Sequence, residues 1–390
     1  MRVLGIIAAI DPRSGGPPSS ARNIWVAAAR SGQSVSVAVG VKTPLDPGEE
    51  ERLRDLAAQH ITVHRFPLLR GGVGLATRWG ISPAFALWIL RRAGRYDLLQ
   101  VHGSWTFSTL IAVLAAKLWR RKVILVPHES LTRFDRARQA GGLKHRLKRL
   151  IKSFLLRAVD EIIFSSPLER ADSFDAGETV RGAVLFHPVR DERTPLPHAH
   201  PSPDGADQLR VGYLGRLDPK KNIELLLAAL AADGHLTLLL AGDGPAPYRQ
   251  QIWRRIAELG LESRVEGLGF VGSADKDRFF ARIDLLAMPS AYECFGMAAA
   301  EALCHAVPVI VSQQTGIAEL VARHGAGLVI TPDAASLSDA LTRLRKDGTL
   351  RRDCVAGAAR LIETELSIGS YGIGLKEIYR RLGGRDREDG

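Results

Sequence analysis

Short apolar runs alternate with longer stretches of helical periodicity along almost the whole chain. In the first half, runs at 3–9, 35–39, 61–66, 98–102, 123–126 and 161–164 read as strands. Strand and helix in strict alternation predict a doubly wound parallel sheet, with ligands at the carboxyl ends of the strands. Between Pro188 and Gln208 the pattern stops. That stretch holds five prolines, two histidines and scattered charges, ending Pro201-Ser202-Pro203-Asp204-Gly205. Its composition marks a linker and a domain boundary. The two histidines have no further ligand nearby and do not suggest a metal. The α/β rhythm restarts at 209–214. The expected organisation is an α/β domain over 1–190, a linker over 191–208 and a second α/β domain over 209–370. A last helix follows over 371–382, with a charged tail over 383–390 expected to fray.

The most informative stretch is 289–321, which reads PSAYECFGMAAAEALCHAVPVIVSQQTGIAELV. An apolar run at 285–288 ends at Pro289-Ser290, as a buried parallel strand would. Glu293 and Phe295-Gly296 follow, and then Met297 to Leu303, small residues of high helix propensity. The pattern predicts a helix beginning near Phe295, its unpaired N–H groups directed at Glu293. Such an end favours a phosphate or another anion. Glu301 lies eight residues after Glu293, about two turns into that helix. Two carboxylates so placed can clamp both ends of a polyhydroxylated ligand. Either one alone reads equally well as an ordinary surface or helix-dipole glutamate.

This stretch resembles the glutamate–seven residues–glutamate signature of glycosyltransferase family 4, retaining nucleotide-sugar transferases of GT-B fold. The resemblance takes in Pro289-Ser290, Phe295-Gly296, Pro308-Val309-Ile310, Gly316 and Glu319. It implies that Glu293 holds donor-sugar hydroxyls and that Glu301 holds the ribose. The N–H groups around Phe295, Gly296 and Met297 would face the sugar and its phosphate. It also implies two Rossmann-like doubly wound domains facing each other across a cleft, with the segment 371–390 crossing back onto the first.

A second cluster supports the same reading. Gly215-Arg216-Leu217-Asp218-Pro219-Lys220-Lys221-Asn222 follows the strand at 209–214. Arg can grip a diphosphate bidentately and Lys adds a point charge. Together they would neutralise charge building on a departing nucleoside diphosphate, the main need in glycosyl transfer. The family has Gly-Arg followed five residues later by Lys, which points to Gly215, Arg216 and Lys221. Where members often carry Gly after that lysine, Asn222 stands here, and both tolerate left-handed dihedrals. Ala241-Gly242-Asp243-Gly244-Pro245 and Gly269-Phe270-Val271-Gly272 close further strands. By resemblance Gly272 sits near the nucleotide base.

The first half says less. Ser14-Gly15-Gly16-Pro17-Pro18-Ser19-Ser20 follows the first strand, and its glycines allow close approach to a phosphate. Ser19 or Ser20 is placed to cap the next helix. The spacing is not that of a dinucleotide fingerprint. A glycine pair faces the donor phosphates in family 4, which implies that role for Gly16. Histidines end two strands, His102 and His128. His128 matches the family's histidine that contacts the donor sugar, whereas His102 reads as a ligand contact or as a structural hydrogen-bonder. Trp79 and Trp105, with the loop 70–74, form either an acceptor platform or two core tryptophans.

Composition narrows the picture. With 390 residues the chain is long enough for two domains, each with its own core. Apolar content of 46% and charged content of 24% fit a soluble α/β protein. Cys294, Cys304 and Cys354 lack metal-ligand spacing and disulfide logic, which suggests a reducing cytosol. Cys294 has no base beside it and reads as a packing residue. No run approaches the roughly 20 apolar residues of a membrane span, and 1–12 reads as a first strand rather than a signal peptide.

The formal charge of +11 calls for an anionic partner. Residues 117–157 carry thirteen Lys and Arg against Glu129 and Asp135. Within them Leu143, Leu147, Leu150, Ile151, Phe154 and Leu155 recur at helical spacing among Lys144, Arg146, Lys148, Arg149 and Lys152. This basic amphipathic helix fits an anionic membrane surface, or a stripe packed on the sheet with a solvated face.

The whole therefore suggests transfer of a sugar from a UDP- or GDP-sugar to a glycan or lipid-linked acceptor at the cytoplasmic membrane face. No metal-binding aspartate pair is evident, and no metal or other cofactor is expected. A small soluble natural-product acceptor is the nearest alternative. A nucleic-acid-binding protein is disfavoured, because the basic surface lacks interleaved aromatics and no nucleic-acid motif appears.

Overall fold

A computed structural model describes residues 1–11, 15–69, 79–138, 142–175, 178, 181–191 and 208–383. The chain divides into two compact units, Met1–Pro188 with Ile368–Gly390, and Val189–Ser367. The loop at 70–74, nearly all of the linker and the tail beyond Gly383 lie outside the described residues.

Unit one is built on seven parallel strands: β1 (Arg2–Ile7), β2 (Ser34–Val41), β3 (Thr62–Pro67), β4 (Leu98–His102), β5 (Lys122–Val126), β6 (Glu161–Phe164) and β7 (Gly182–Val184). They lie in the order β3-β2-β1-β4-β5-β6-β7. The order reverses between β1 and β4, whose registers match residue for residue from Val3↔Leu98 to Ile7↔His102. β4 and β6 are buried along their whole length. That is why neither shows the alternation of a half-exposed strand, although the buried polar Gln100, His102 and Glu161 stand among their apolar residues.

Unit two has six parallel strands: β8 (Leu209–Leu214), β9 (Leu236–Ala241), β10 (Val265–Gly269), β11 (Leu285–Met288), β12 (Val309–Ser312) and β13 (Gly327–Ile330). Their order is β10-β9-β8-β11-β12-β13, so the chain reverses direction across the sheet between β8 and β11. In open α/β sheets ligands bind outside the carboxyl ends of the strands at that reversal. The loops following β8 and β11 carry the two motifs singled out above.

Two Rossmann-like sheets are thus present, and most strands begin and end within two residues of the apolar runs. β7 was not expected; its three residues are only half-buried and carry little apolar signal. The first helix, Gly16–Arg30, opens at Gly16 with Gly15 as its N-cap and Pro in its first turn. Ser19 and Ser20 therefore lie inside the helix and cap nothing. Proline tolerates the first helical positions because its missing N–H has no partner there anyway. The last helix, Ile368–Arg381, starts three residues earlier than expected and adds Tyr371, Leu375 and Ile378 to the core of unit one. Its Gly372 lies against the helix Gly16–Arg30, accepting from Ser31 Oγ at 3.2 Å.

The basic helix is Gly142–Ala158. Its apolar stripe is split: Leu155 is buried and Ile151 half-buried, whereas Leu147, Leu150 and Phe154 are exposed. Lys152 does not belong to a solvated face. It is 1% exposed and pairs with Asp175 at 3.1 Å and Glu178 at 2.6 Å. Trp79 and Trp105 are half-buried, and Trp105 packs against the core of unit one. Trp105 donates to the Ser130 carbonyl at 2.7 Å, with Lys148 Nζ 5.1 Å from its ring centre.

Central packing leaves no room at Gly5 on β1. A Cβ there would meet Nε1 of the fully buried Trp25 at 2.2 Å. Gly5→Ala is expected to cost about 1–3 kcal/mol, the usual penalty for overpacking a dense core. Urea unfolding followed through tryptophan fluorescence checks it, and an unchanged midpoint would show that Trp25 can move aside.

Candidate active site

At the reversal point of unit two, the loop after β8 turns through a short 3-10 segment, Pro219–Lys221, capped by Asp218. Asn222 then adopts φ 52°, ψ 43°, a left-handed conformation that asparagine tolerates, and the helix Ile223–Ala232 begins. The Asn222 side chain donates to the Pro289 carbonyl at 2.9 Å, while Ala291 N donates to the Lys220 carbonyl at 2.7 Å. These two bonds tie the loop after β8 to the loop after β11.

The loop after β12 holds the other side. Glu293 N donates to Gln314 O at 2.9 Å, Gly316 N to Glu293 O at 2.9 Å and Ile317 N to Phe295 O at 2.8 Å. Glu293 is therefore fixed by its backbone on both edges. Phe295 is fully buried, so its side chain is part of the core. Gly296 has φ 104°, and a Cβ there would meet Thr315 Cγ2 at 2.7 Å. Both the dihedral and the space demand glycine.

The helix that follows is Met297–Cys304, with Gly296 as N-cap and no side-chain cap. It begins two residues later than the composition suggested, so Glu301 stands about one turn in rather than two. The amides of its first turn precede the first intrahelical bond, Ala300 N to Gly296 O at 3.1 Å.

Glu293 is 9% exposed, and its Oε1 accepts from Lys221 Nζ; Lys220 Nζ lies 4.0 Å away. Burial pushes the Glu293 carboxyl up, but Lys221, Lys220 and Arg216 outweigh it and hold the group below the usual carboxylate range. The carboxylate stays ionised, and the cluster carries excess positive charge. Arg216 is exposed, and its guanidinium hydrogen-bonds to no described residue. Its carbonyl is pinned by Tyr213 Oη at 2.7 Å. Gly215 N donates to Ala241 O at 3.0 Å, and a Cβ on Gly242 would meet Gly215 O at 1.8 Å. The loops after β8 and β9 are pressed together backbone to backbone.

Glu301 does not join this cluster. Both its oxygens are taken by Lys276, on the helix Ser273–Phe280 that opens at Gly272. Lys276 was not singled out from the sequence, because a lone lysine on a short polar helix carries no periodic or motif signal. Lys220, the neighbour of Lys221, also approaches Glu293, its Nζ 4.0 Å from Oε1. Burial pushes the Cys304 thiol up to about 12 and the Cys354 thiol up to about 11, which argues against thiolate chemistry at either.

Unit one brings three histidines together near the ends of β4 and β5. His102 Nδ1 and His128 Nε2 share a hydrogen bond at 2.9 Å, and the His187 ring lies 5.2 Å from His128, tilted by 37°. Burial pushes His128 down to about 3 and lowers His102 and His187 as well, so all three rings are neutral. His128 and Glu129 have φ of 50° and 73°, two consecutive left-handed residues without glycine. The fully buried Glu169 anchors them, accepting from Glu129 N at 2.6 Å and from Ser165 N at 2.7 Å. Gly16, at the head of its helix, lies in the same unit at the end of the loop after β1.

Comparison with known proteins agrees with this architecture. Residues 200–361 match the family model for glycosyl transferases group 1, and residues 15–188 match that for a glycosyl transferase 4-like domain. An alpha-D-kanosaminyltransferase of Streptomyces kanamyceticus is 29% identical over 45% of this chain and 47% of its own length. The chain thus spans about half the length of that relative. A 2-deoxystreptamine glucosyltransferase from the same organism is 26% identical over 77% of this chain and 83% of its own. Among solved structures, Anabaena HepE in complex with UDP and glucose superposes with a TM-score of 0.76 at 22% identity, covering 98% of this chain and 100% of that one. That likeness carries the GT-B fold. With each unit matched by its own model and the fold shared, the chain belongs to the group 1 glycosyltransferases.

Proposed function

We propose that the chain is a family 4 retaining transferase that moves a sugar from a UDP- or GDP-sugar to a hydroxyl of a glycan or lipid-linked acceptor. The observation that carries this reading is Glu293, an ionised carboxylate buried against Lys221 and Lys220 beside the exposed Arg216. Arg216 and Lys221 would take the diphosphate, and the amides from Phe295 to Met297 would add backbone donors. Glu293, already fixed by its backbone, would orient the sugar. Glu301 would hold the ribose, and Gly215 would let the loop approach the phosphates. Gly272 would lie near the base. His128, neutral and fixed by His102, would contact the donor sugar as a hydrogen-bonding group, and Gly16 would meet the phosphates.

Leaving-group charge is then met by two or three cations and a helix end, so no metal is required. The leaving phosphate would help deprotonate the acceptor on the same face, which retains configuration.

A screen of UDP- and GDP-sugars, read as nucleoside diphosphate release by mass spectrometry, tests this. One donor class should turn over, with EDTA making little difference. Arg216→Ala or Lys221→Ala should lower turnover about 10²–10³-fold, the usual loss for one preorganised charge. Near-normal turnover with both charges gone, or activity lost on chelation and restored by Mg²⁺, would overturn the mechanism.

Support for a lipid-linked acceptor comes from the surface of unit one. Among the described residues no helix is long and apolar enough to cross a membrane. Three helices packed side by side, Pro83–Arg92, Phe107–Leu118 and Gly142–Ala158, nevertheless expose large apolar side chains. Leu118 is 69% and Leu150 68% exposed, joined by Leu87, Leu114, Trp119 and Phe154. Arg91, Arg92, Lys117, Arg120, Arg146 and Arg149 stand exposed among them. Apolar side chains ringed by cations suit an anionic bilayer surface and not a nucleic acid, which supports peripheral attachment at the cytoplasmic face and a lipid-linked acceptor. The second reading, a small soluble acceptor, is favoured by the relative named for 2-deoxystreptamine. Flotation with vesicles separates them. Binding should require anionic lipid, weaken with salt and fall severalfold in Leu118→Glu/Leu150→Glu. Absence of flotation would favour the small acceptor, and a salt-dependent DNA shift in its place would remove the membrane from the account.

A further inference from the structure

We propose that Lys276 is a donor-specificity residue, holding the Glu301 carboxylate ready for the vicinal hydroxyls of a nucleotide ribose. This rests on the assignment of Glu301 to the ribose made above. Lys276 Nζ lies 2.7 Å from Oε1 and 2.6 Å from Oε2 of Glu301, and the two side chains are only 26% and 21% exposed. An ammonium has three donors, and a carboxylate has about four acceptor positions, two on each oxygen. The pair consumes one position on each oxygen and leaves one on each. A ribose 2′,3′-diol presents two O–H donors at neighbouring carbons, which matches what remains.

The geometry around the pair restricts Glu301 further. Asp277, the next residue on the same helix, lies 2.9 Å from His305 Nε2, and His305 Nδ1 lies 2.9 Å from the Glu301 carbonyl. His305 also stacks on Phe280 at 4.4 Å between ring centres. The helix Ser273–Phe280 therefore grips the helix Met297–Cys304 both at the Glu301 side chain and at its backbone. Glutamate has several rotatable bonds, and a half-buried carboxylate without a cation would turn towards whatever water or cation it could reach. With Lys276 in place its two oxygens are set before the nucleotide arrives, and part of their desolvation is already offset. Lys276 acts on the ribose through Glu301 and is a positioning residue.

A 2′-deoxyribose offers one donor fewer and leaves one half-buried acceptor unmet, which binding is penalised for. The expected signature is discrimination between ribose and deoxyribose, not affinity alone. Calorimetry on the full chain with UDP and GDP identifies the nucleotide; its 2′-deoxy form is then compared. The unaltered chain should bind the ribo form about tenfold more tightly. Lys276→Met should cut that ratio to about threefold or less with little change for the deoxy form, and Lys276→Arg should restore it. If the Met variant proves unstable in thermal melts, Lys276→Gln takes its place.

Equal loss for both nucleotides would make the pair a mere strut and overturn the proposal, and so would a gain in affinity, which would mean that Lys276 blocks the ribose. An unchanged ratio in Lys276→Met beside a lost ratio in Glu301→Gln would sink the role of Lys276 and leave Glu301 on the ribose. A ratio unchanged in both variants would remove Glu301 from the ribose as well, and no binding of either nucleotide to the unaltered chain would take the proposed function with it.

Discussion

The site in unit two depends on burying a carboxylate among cations. Glu293 is almost inaccessible yet ionised, a state that survives because Lys221 bonds it and Lys220 and Arg216 stand near. Taking a carboxylate out of water is costly, and its partners offset the cost only when geometry is tight. Geometry is tight here because three loops share the load. The loops after β8 and β12 each hydrogen-bond the loop after β11, so the charge cluster is fixed by backbone rather than by side chains alone. On the proposed reading, the surplus of positive charge meets an anionic leaving group.

The sheet order explains why those loops meet. β8 and β11 are neighbours although two strand–helix units separate them in sequence. Helices leave the two strands on opposite sides of the reversal and open a crevice at their carboxyl ends. Residues some seventy positions apart, Lys221 and Glu293, then fall within one hydrogen bond. Unit one repeats the arrangement between β1 and β4. There the histidines are neutral: His102 and His128 have been stripped of charge by burial, and a buried carboxylate, Glu169, anchors the left-handed turn that carries His128. The described charge cluster of unit two is cationic, whereas the histidine cluster of unit one offers uncharged donors and acceptors.

The same contrast separates the two faces of the basic helix Gly142–Ala158. Lys152 looks in sequence like any other cation on that helix, but it is buried and held by Asp175 and Glu178. Among the described side chains the exposed cations of that helix are Arg146, Arg149 and Arg157, with Leu150 and Phe154 exposed as well. Counting charges along the chain overstates the basic surface, because a lysine with two acidic partners presents no field to a membrane.

By itself the sequence determined the parallel α/β sheets, the reversal-point motifs and the left-handed Asn222. Buried parallel strands write their burial as short apolar runs, and special dihedrals need Gly or Asn, so both are local and legible. Helix starts were less so. Gly15, Pro17 and Pro18 moved one helix start ahead of the serines that might have capped it, and the φ of Gly296 delayed another until Met297. β7 escaped because half-buried strands at a sheet edge carry little apolar signal. Only the tertiary structure decided which charges meet. Glu293 and Glu301 look alike in sequence, eight residues apart, yet one is paired with Lys221 and the other with Lys276. An ion pair depends on distance in space, and nothing in the spacing of residues along one element records what a neighbouring helix brings against it.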